Sequence, residues 1–280
     1  MIEYFLLHCA LASIARLPAL ARVYVKLLDL AIPRFRRIAA RNLEIAAIPD
    51  RGVIDGVFRS IARTAVAFAK FPSITRENVH QWIRYEGLEN FKQAQARGRG
   101  VLVATAHFGN WELSAFAHAL MTAPMHVVVR PLDNPRVDAF VERRRALSGN
   151  LIIEKKEAAR EILRALKRGD AVGILIDQNT SLDEGVFVDF FGTKACAGSA
   201  FAKLAHHSGA AVIPGYVLWS DEEHRYILHF DPEIEMTGNV LEDTQRIHAH
   251  LEAVIRRQPD QYLWIHRRWN TRPPGEASLY

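Results

Sequence analysis

The feature that most constrains the fold is an alternation of short apolar runs with helical patterns, which begins near Gly98. The apolar runs are rich in β-branched residues and have the length of buried strands, at residues 100–104, 125–130, 151–154, 171–177 and 210–219. Helical patterns lie between them, at residues 111–121, 139–147, 155–168 and 199–208. This alternation is typical of a parallel sheet covered on both faces by helices. The sequence therefore predicts an α/β fold with a mostly parallel central sheet flanked by helices.

The first 97 residues differ from the rest because they contain helical patterns and few strand signals. In residues 55–71, apolar side chains recur at intervals of three and four and so form one buried stripe along a helix. Further on, residues 226–230 are predicted to pair antiparallel with the strand before them. We therefore predict a helical, membrane-associating N-terminal region over residues 1–97 and an α/β domain over residues 98–280.

The N-terminal region mixes apolar and basic residues in a way that is typical of membrane contact. Residues 4–15 form an uncharged run of 12 residues, whereas a spanning helix needs about 20 predominantly apolar residues. Glu3 stands where a secretory signal peptide has basic residues, which argues against such a peptide. Apolar residues then alternate with Arg22, Lys26, Arg34, Arg36, Arg37 and Arg41. This pattern favours a helix lying in the headgroup region; a core helix with a solvated basic face and a single marginal span are the alternatives.

The charge balance indicates an anionic partner. The net charge is +5, which suits nucleic acid, acidic lipid headgroups, a phosphorylated substrate or an acidic carrier protein. No nucleic-acid motif surrounds the basic stretches at residues 142–146 and 266–272, so carrier protein or lipid phosphate explains them better. With Cys9 and Cys196 as the only cysteines, neither a disulfide framework nor a cysteine-based zinc site is expected.

A titratable pair stands where the first predicted strand gives way to a helix. The sequence there is TAHFGNWE, with His107 just behind the strand and Glu112 five residues later. If Gly109 and Asn110 form the turn, Glu112 lies in the first helical turn and can reach back to one imidazole nitrogen. That contact fixes the tautomer and leaves the other nitrogen free as a general base. In the structural alternative, His107 caps a turn and Glu112 only complements the helix dipole.

Two more polar residues, Arg130 and Asp177, follow apolar strands. Ligands of such sheets bind beyond the carboxyl ends of the strands, so we expect both residues on the same rim as His107. Asp177 there either accepts a hydrogen bond from a sugar hydroxyl or holds Arg130 in place. Gly109 lets a ligand or backbone approach closely, and amides at the helix start can stabilise an oxyanion. The spacing differs from H-E-x-x-H, so zinc is not indicated.

Five blocks of the sequence carry a resemblance to a known family. They are HFGNWE, VVVRPLDNPRVDAFVERRR, GILIDQN, GVFVDFFGTKACAGSAFAKLAHHSGAAVIPGY and YLWIHRRWNTRPPGE. With these blocks, over about residues 35–275, the chain resembles the lysophospholipid acyltransferase superfamily. Within it, the chain is most similar to the bacterial lipid A late acyltransferases, the lauroyl and myristoyl transferases, and to the related phosphatidylinositol mannoside acyltransferases.

The resemblance implies an acyltransferase at the cytoplasmic face of the cell inner membrane. It implies transfer of a fatty acyl chain from acyl carrier protein or coenzyme A to a hydroxyl of an anionic lipid or glycolipid, without a metal or other cofactor. His107 would be the general base and Glu112 its orienting partner. Residues of the matching blocks that receive substrate-binding or positioning roles are Gly109, Asn110, Arg130, Asp177, Gln178, Phe191 and Gly192. Arg130 is expected to meet phosphate, and Phe191 with Gly192 to shape the acyl groove.

Two differences from the lipid A enzymes bear on the identity of the acceptor. The N-terminal apolar segment is shorter and more interrupted than the spanning helix often found in the lipid A enzymes, and the chain is somewhat shorter than theirs. The acceptor is therefore open between a lipid A precursor and another phospholipid or mannoside, and the acyl chain and its carrier are open too. A thioesterase that uses the same base, and a non-catalytic lipid-binding module, are the alternative functions.

Overall fold

The N-terminal part of the chain is a group of packed helices. The computed structural model describes residues 2–155 and 158–280. The first helices are α1 (Ile2–Arg16), α2 (Leu20–Ala31), α3 (Pro33–Ile45) and α4 (Val53–Lys70). α4 contacts the other three, and its predicted apolar stripe is buried at Val57, Phe58 and Phe68. Across the described ranges, no helix combines the length and the apolarity that crossing a membrane requires.

Strands and helices alternate along the rest of the chain. In order they are β1 (Ile83–Glu86), α5 (Leu88–Ala96), β2 (Val101–Thr105), α6 (Trp111–Met121), β3 (His126–Val129), α7 (Pro135–Ala146), β4 (Leu151–Glu154), α8 (Ala158–Lys167), β5 (Ala171–Leu175), β6 (Gly185–Phe190), β7 (Thr193–Gly198), α9 (Ala200–Ser208), β8 (Ala211–Ser220), β9 (Arg225–Phe230) and α10 (Val240–Arg257). Single 3-10 turns lie at Phe71–Ser73, Val79–Gln81 and Pro259–Gln261.

The strands form a mixed sheet that is mostly parallel. In the described part of the chain, seven strands follow the order β1-β9-β8-β2-β5-β3-β4. The five strands from β8 to β4 run parallel, whereas β9 is antiparallel to β8 and parallel to β1. β6 and β7 form a separate antiparallel hairpin. The predicted α/β fold is thus confirmed, and so is the antiparallel pairing of residues 226–230 with the preceding strand.

Local sequence signals account for several of these elements. Residues 101–104 of β2 are all buried, as expected for a strand with helices on both faces. α7 and α10 begin after Asn134 and Asn239, whose side-chain oxygens accept the amide two residues later at 3.1 Å and 3.0 Å. Such caps satisfy amides that have no partner inside the helix, and Pro135 fits the first turn of α7 because it lacks an amide hydrogen.

The sequence patterns did not reveal β1 or the β6–β7 hairpin. β1 reads IRYE, in which charged residues interrupt any apolar run, yet it pairs with β9 and places Ile83 opposite Tyr226. The N-terminal region therefore also contributes to the sheet, while its division from the rest at residue 97 stays a prediction. Residues 156 and 157, within the helix predicted over 155–168, lie outside the described residues.

Candidate active site

A histidine and an aspartate meet at the carboxyl edge of the sheet. β2 and β5 are neighbouring parallel strands with Thr105 opposite Leu175, so the residues two positions further on lie close together. His107 Nδ1 is 2.9 Å from Asp177 Oδ1, and the backbone amide of His107 donates to Asp177 Oδ2 at 3.1 Å. Both carboxylate oxygens therefore hold the same histidine.

This contact determines the tautomer of His107. Because Asp177 only accepts hydrogen bonds when ionised, Nδ1 carries the hydrogen and Nε2 keeps a free lone pair. The His107 side chain is 17% exposed and that of Asp177 is 3% exposed. Burial lowers the pKa of His107, but the Asp177 carboxylate raises it, with a smaller contribution from Glu112, and the pKa lies above its ordinary value of 6.5. Burial raises the pKa of Asp177, yet His107 outweighs it and holds that pKa below 3.8.

The expected contact between Glu112 and the imidazole is corrected. Glu112 does lie in the first turn of α6, but its carboxylate binds Arg145 of α7, with Oε1–Nη2 at 2.5 Å and Oε2–Nε at 2.9 Å. The physical reason is that Asp177 already occupies the only nitrogen of His107 that needs an orienting partner. Glu112 acts on the histidine through its charge alone. The contact that orients the His107 ring is therefore with Asp177, and Arg145, which the sequence analysis placed only in a basic stretch, lies beside the pair through Glu112.

Gly109 and Asn110 shape the turn between His107 and α6. Gly109 has φ +59°, and a side chain there would overlap the Val217 carbonyl oxygen of β8. The close approach predicted at Gly109 is therefore made by the backbone of β8. Its amide donates to Gln261 O at 2.9 Å, so it is not available to an oxyanion. Asn110 is fully buried and caps α6, accepting the Leu113 amide at 3.0 Å.

Arg130 and Gln178 lie at the same edge of the sheet without contacting the histidine pair. Arg130 follows β3, which is two strands from β2, a separation of about 10 Å at ordinary strand spacing. Its side chain is 81% exposed and approaches Asp133, with Nη2–Oδ1 at 3.7 Å. The expectation that Asp177 holds Arg130 is therefore wrong, because Asp177 is engaged by His107. Gln178 is exposed just beyond Asp177.

Phe191 and Gly192 do not line the pocket described next, and their role in an acyl groove stays a prediction. They form the two-residue turn between β6 and β7, with φ +56° and +74°, the left-handed backbone that tight hairpin turns require. The Phe191 ring packs edge-on against Trp264, and its amide donates to Glu252 of α10 at 2.6 Å. Gly192 is exposed. Phe191 therefore connects the hairpin to α10.

An apolar pocket lies between α6 and the sheet. Trp111, Glu112 and Arg145 line it next to His107, whose ring centroid is 5.1 Å from that of Trp111. Other parts of its wall come from Val103, Leu175, Val127, Val129, Ala115 and Phe116. The sequence analysis missed this pocket because its wall is drawn from many separate elements. Glycines inside β5 and β8 were the available signal, since glycine within a strand often marks added space or close approach.

A second buried histidine, His118, lines the same pocket. It is 2% exposed, and its Nδ1 lies 2.8 Å from the hydroxyl oxygen of Tyr85. Phe230 packs edge-on against its ring at 5.4 Å. Burial lowers the pKa of His118 to about 4, so it is neutral at physiological pH.

A histidine oriented by a carboxylate beside an apolar pocket is an arrangement that suits an enzyme acting on an apolar substrate. Comparison with known proteins identifies the group within that class. The profile of the family described as "Bacterial lipid A biosynthesis acyltransferase" matches residues 4–271, and the chain belongs to this family. The predicted resemblance is confirmed, and membership supports an acyltransferase.

The relatives act with different acyl chains. A lipid A biosynthesis palmitoleoyltransferase of Escherichia coli K12 is 32% identical over 274 residues, covering 95% of this chain and 86% of the relative. The lauroyltransferase of the same organism is 30% identical, covering 72% of this chain and 66% of the relative. Its myristoyltransferase is 22% identical, covering 88% and 78%.

Proposed function

We propose that this protein is a membrane-associated O-acyltransferase that moves a fatty acyl chain from a thioester of acyl carrier protein or coenzyme A to a hydroxyl of a glycolipid resembling a lipid A precursor. The observation that carries the proposal is the His107–Asp177 pair beside the apolar pocket. Family membership supports both the acyl transfer and the acceptor class.

The histidine pair supports a general-base mechanism. His107 Nε2 takes the proton of the acceptor hydroxyl while the oxygen attacks the thioester carbonyl carbon. Asp177 stabilises the imidazolium that forms and keeps Nδ1–H directed towards itself. The carbon–sulfur bond then breaks, and the imidazolium returns the proton to the departing thiolate. The products are an ester and a free thiol, and His107 is neutral again.

The apolar pocket supports binding of the donor's acyl chain. Its sheet wall is formed by aliphatic side chains such as Val103 and Leu175, and sites for apolar ligands are lined mainly by such side chains. The ion pair of Glu112 and Arg145 borders the pocket on the side of Trp111. The hydrocarbon chain lies within this pocket, and the thioester lies next to His107.

The second helix, α2, supports contact with a membrane. α2 buries Ala21 and Val25, whereas its opposite side leaves Val23, Leu27 and Leu30 at least half exposed. Arg22 and Lys26 are exposed on the same helix. Exposed apolar residues among cations are typical of a helix that lies at an anionic lipid surface. We place this surface at the cytoplasmic face of the inner membrane, where the glycolipid acceptor is met.

Arg130 supports an anionic acceptor. Its exposed guanidinium at the carboxyl edge offers a planar fork for a phosphate, which a lysine ammonium does not reproduce. Arg130→Lys should therefore slow transfer more than it slows hydrolysis of the thioester. An equal loss of both rates would assign Arg130 to the donor side or to the scaffold.

The function is tested by product analysis with the purified protein. Lauroyl, myristoyl and palmitoleoyl thioesters of carrier protein or coenzyme A are mixed with a lipid A precursor or with phosphatidylinositol mannoside, and mass spectrometry follows the acylated lipid. His107→Ala is the control for background transfer. Acylated precursor from the wild type alone supports the proposal. Thioester hydrolysis with no acylated lipid would instead indicate a thioesterase, and transfer to the mannoside alone would overturn the acceptor.

A further inference from the structure

The sheet wall of the apolar pocket consists of two successive layers of residues. The first layer contains Thr105 and Leu175, which are opposite each other at the carboxyl ends of β2 and β5. The second layer contains Val103 and Gly173, which are also opposite each other and lie about 7 Å deeper at ordinary strand geometry. Because His107 follows the first layer along the chain, an acyl chain that starts at His107 passes the first layer before the second.

The pocket ends below the second layer. The next residues of β2 and β5 that point to this face are Val101 and Ala171, which are buried in the core and are not among the described residues that line the pocket. Met125 lies at their level, because it directly precedes β3, in which His126 is opposite Val172. The Met125 side chain is buried and lines the pocket. Met125 therefore forms the floor of the pocket.

Gly173 keeps the space above this floor open. A Cβ atom at Gly173 would lie 2.9 Å from the terminal methyl carbon of Met125, and its next neighbour, the His126 carbonyl oxygen, would be 4.0 Å away. The φ of Gly173 is not positive, so its backbone conformation does not require glycine. The absence of a side chain is therefore what distinguishes this position.

On this geometry we propose that Gly173 and Met125 set the length of the longest acyl chain that the protein accepts. The proposal rests on the acyl transfer proposed above and on the placement of the hydrocarbon chain in this pocket. The chain passes Gly173 and its end meets the side chain of Met125. A longer chain has to displace Met125 from a packed core, and each methylene that finds no space in the pocket forfeits a gain in affinity of about fourfold.

The test compares the acyl-chain preference of Gly173→Ala and Met125→Ala with that of the wild type. Each protein receives a mixture of saturated acyl thioesters that differ in steps of two methylenes, and mass spectrometry of the products gives the relative kcat/KM values. Gly173→Ala pushes the Met125 methyl group into the pocket, so the longest chain that the wild type uses well should lose about tenfold against the next shorter one. Met125→Ala lowers the floor and should favour the next longer chain by about tenfold.

A double variant and a matched control separate this pairing from a general loss of packing. In the Met125→Ala background, Gly173→Ala should cost the longest chain less than about threefold, because the methyl group that it would displace is absent. Ile153→Ala is the control, since Ile153 is buried with Ala158 and Ile162 in the core on the opposite face of the sheet. It should lower the melting temperature and leave the chain preference unchanged. Met125→Val replaces the alanine variant if that variant does not fold.

Binding of free fatty acids tests the same assignment without any transfer. Saturated fatty acids of the same lengths compete with a fluorescent fatty acid, and their relative affinities should shift as the kcat/KM values do. If the wild type acylates no acceptor but these affinities shift as expected, the proposed function fails and the roles of Gly173 and Met125 stand. Unchanged profiles in both single variants would overturn the proposal. It would also be overturned by an equal shift in Ile153→Ala, or by the full tenfold loss from Gly173→Ala in the Met125→Ala background.

Discussion

His107 at the rim of the sheet and His118 in the pocket wall have pKa values that are shifted in opposite directions. Each ring uses Nδ1 for one close contact, at 2.9 Å to a carboxylate in His107 and at 2.8 Å to a phenol in His118. The carboxylate overcomes burial and holds the pKa of His107 above 6.5, whereas the neutral phenol does not, and the pKa of His118 is about 4. The partner, rather than burial alone, therefore decides the direction in which each pKa is shifted.

The largest effect on the transfer rate is expected when each histidine is replaced in turn. His107→Ala should lower acyl transfer by about 10²–10⁴-fold, because it removes general-base assistance. His118→Gln keeps a hydrogen-bonding group for Tyr85 and should stay within about threefold of the wild type, since a histidine whose pKa burial lowers to about 4 is a weak base. Transfer rates and melting curves are measured together. Near-normal transfer by a well-folded His107→Ala would refute the assignment of the base.

A smaller effect is expected from the two carboxylates near His107. Asp177→Asn should reduce kcat/KM by about 10²-fold, because the histidine loses both its orientation and its counter-charge. It should also move the acid limb of the pH profile downward, since loss of a carboxylate lowers the pKa of its neighbour. Glu112→Gln should move that limb less, because Glu112 acts on His107 only through its charge. The reverse order of shifts would return the orienting role to Glu112.

The smallest effect concerns stability in acid. The pKa of His118 is 6.5 in the unfolded chain and about 4 in the folded protein. Between these values only the unfolded chain binds the proton, so the free energy of unfolding falls as pH drops from 6.5 towards 4. His107 has the opposite sign: its raised pKa stabilises the fold below 6.5, and this contribution is lost as pH rises through its folded pKa.

Urea unfolding at about pH 7.5 and about pH 5 measures the difference. His118→Gln should lose about 2 kcal/mol less than the wild type between these two conditions, because it cannot be protonated. His248 is also buried with a pKa of about 4, and it remains in both proteins as an internal control. Equal losses in the two proteins would show that His118 is not held neutral by the fold.

The parallel strands and the placement of His107 and Asp177 at one edge could be predicted, because both follow from local patterns and a general property of parallel sheets. The partner of His107 could not. Glu112 is five residues away in the chain and Asp177 is 70 away, and only the adjacency of β2 and β5 brings the latter close. The turn at Phe191 was equally hidden, since its positive φ has no signature in an aromatic residue. The pocket wall combines residues of many separate elements, among them Gly173 and Gly215, and no local pattern marks such a combination.

The position of Gly109 limits how this protein can be engineered. Every other amino acid carries a Cβ, and here that atom would overlap the Val217 carbonyl oxygen. Relieving the overlap means moving either β8 or the short loop that carries His107, so a substitution at 109 can displace the histidine that we propose as the base without changing its side chain. A saturation library at this codon should return glycine almost alone among active clones. Libraries aimed at substrate preference are better spent on the pocket wall, for instance at Val127 or Ile152, where side chains can change without displacing the backbone.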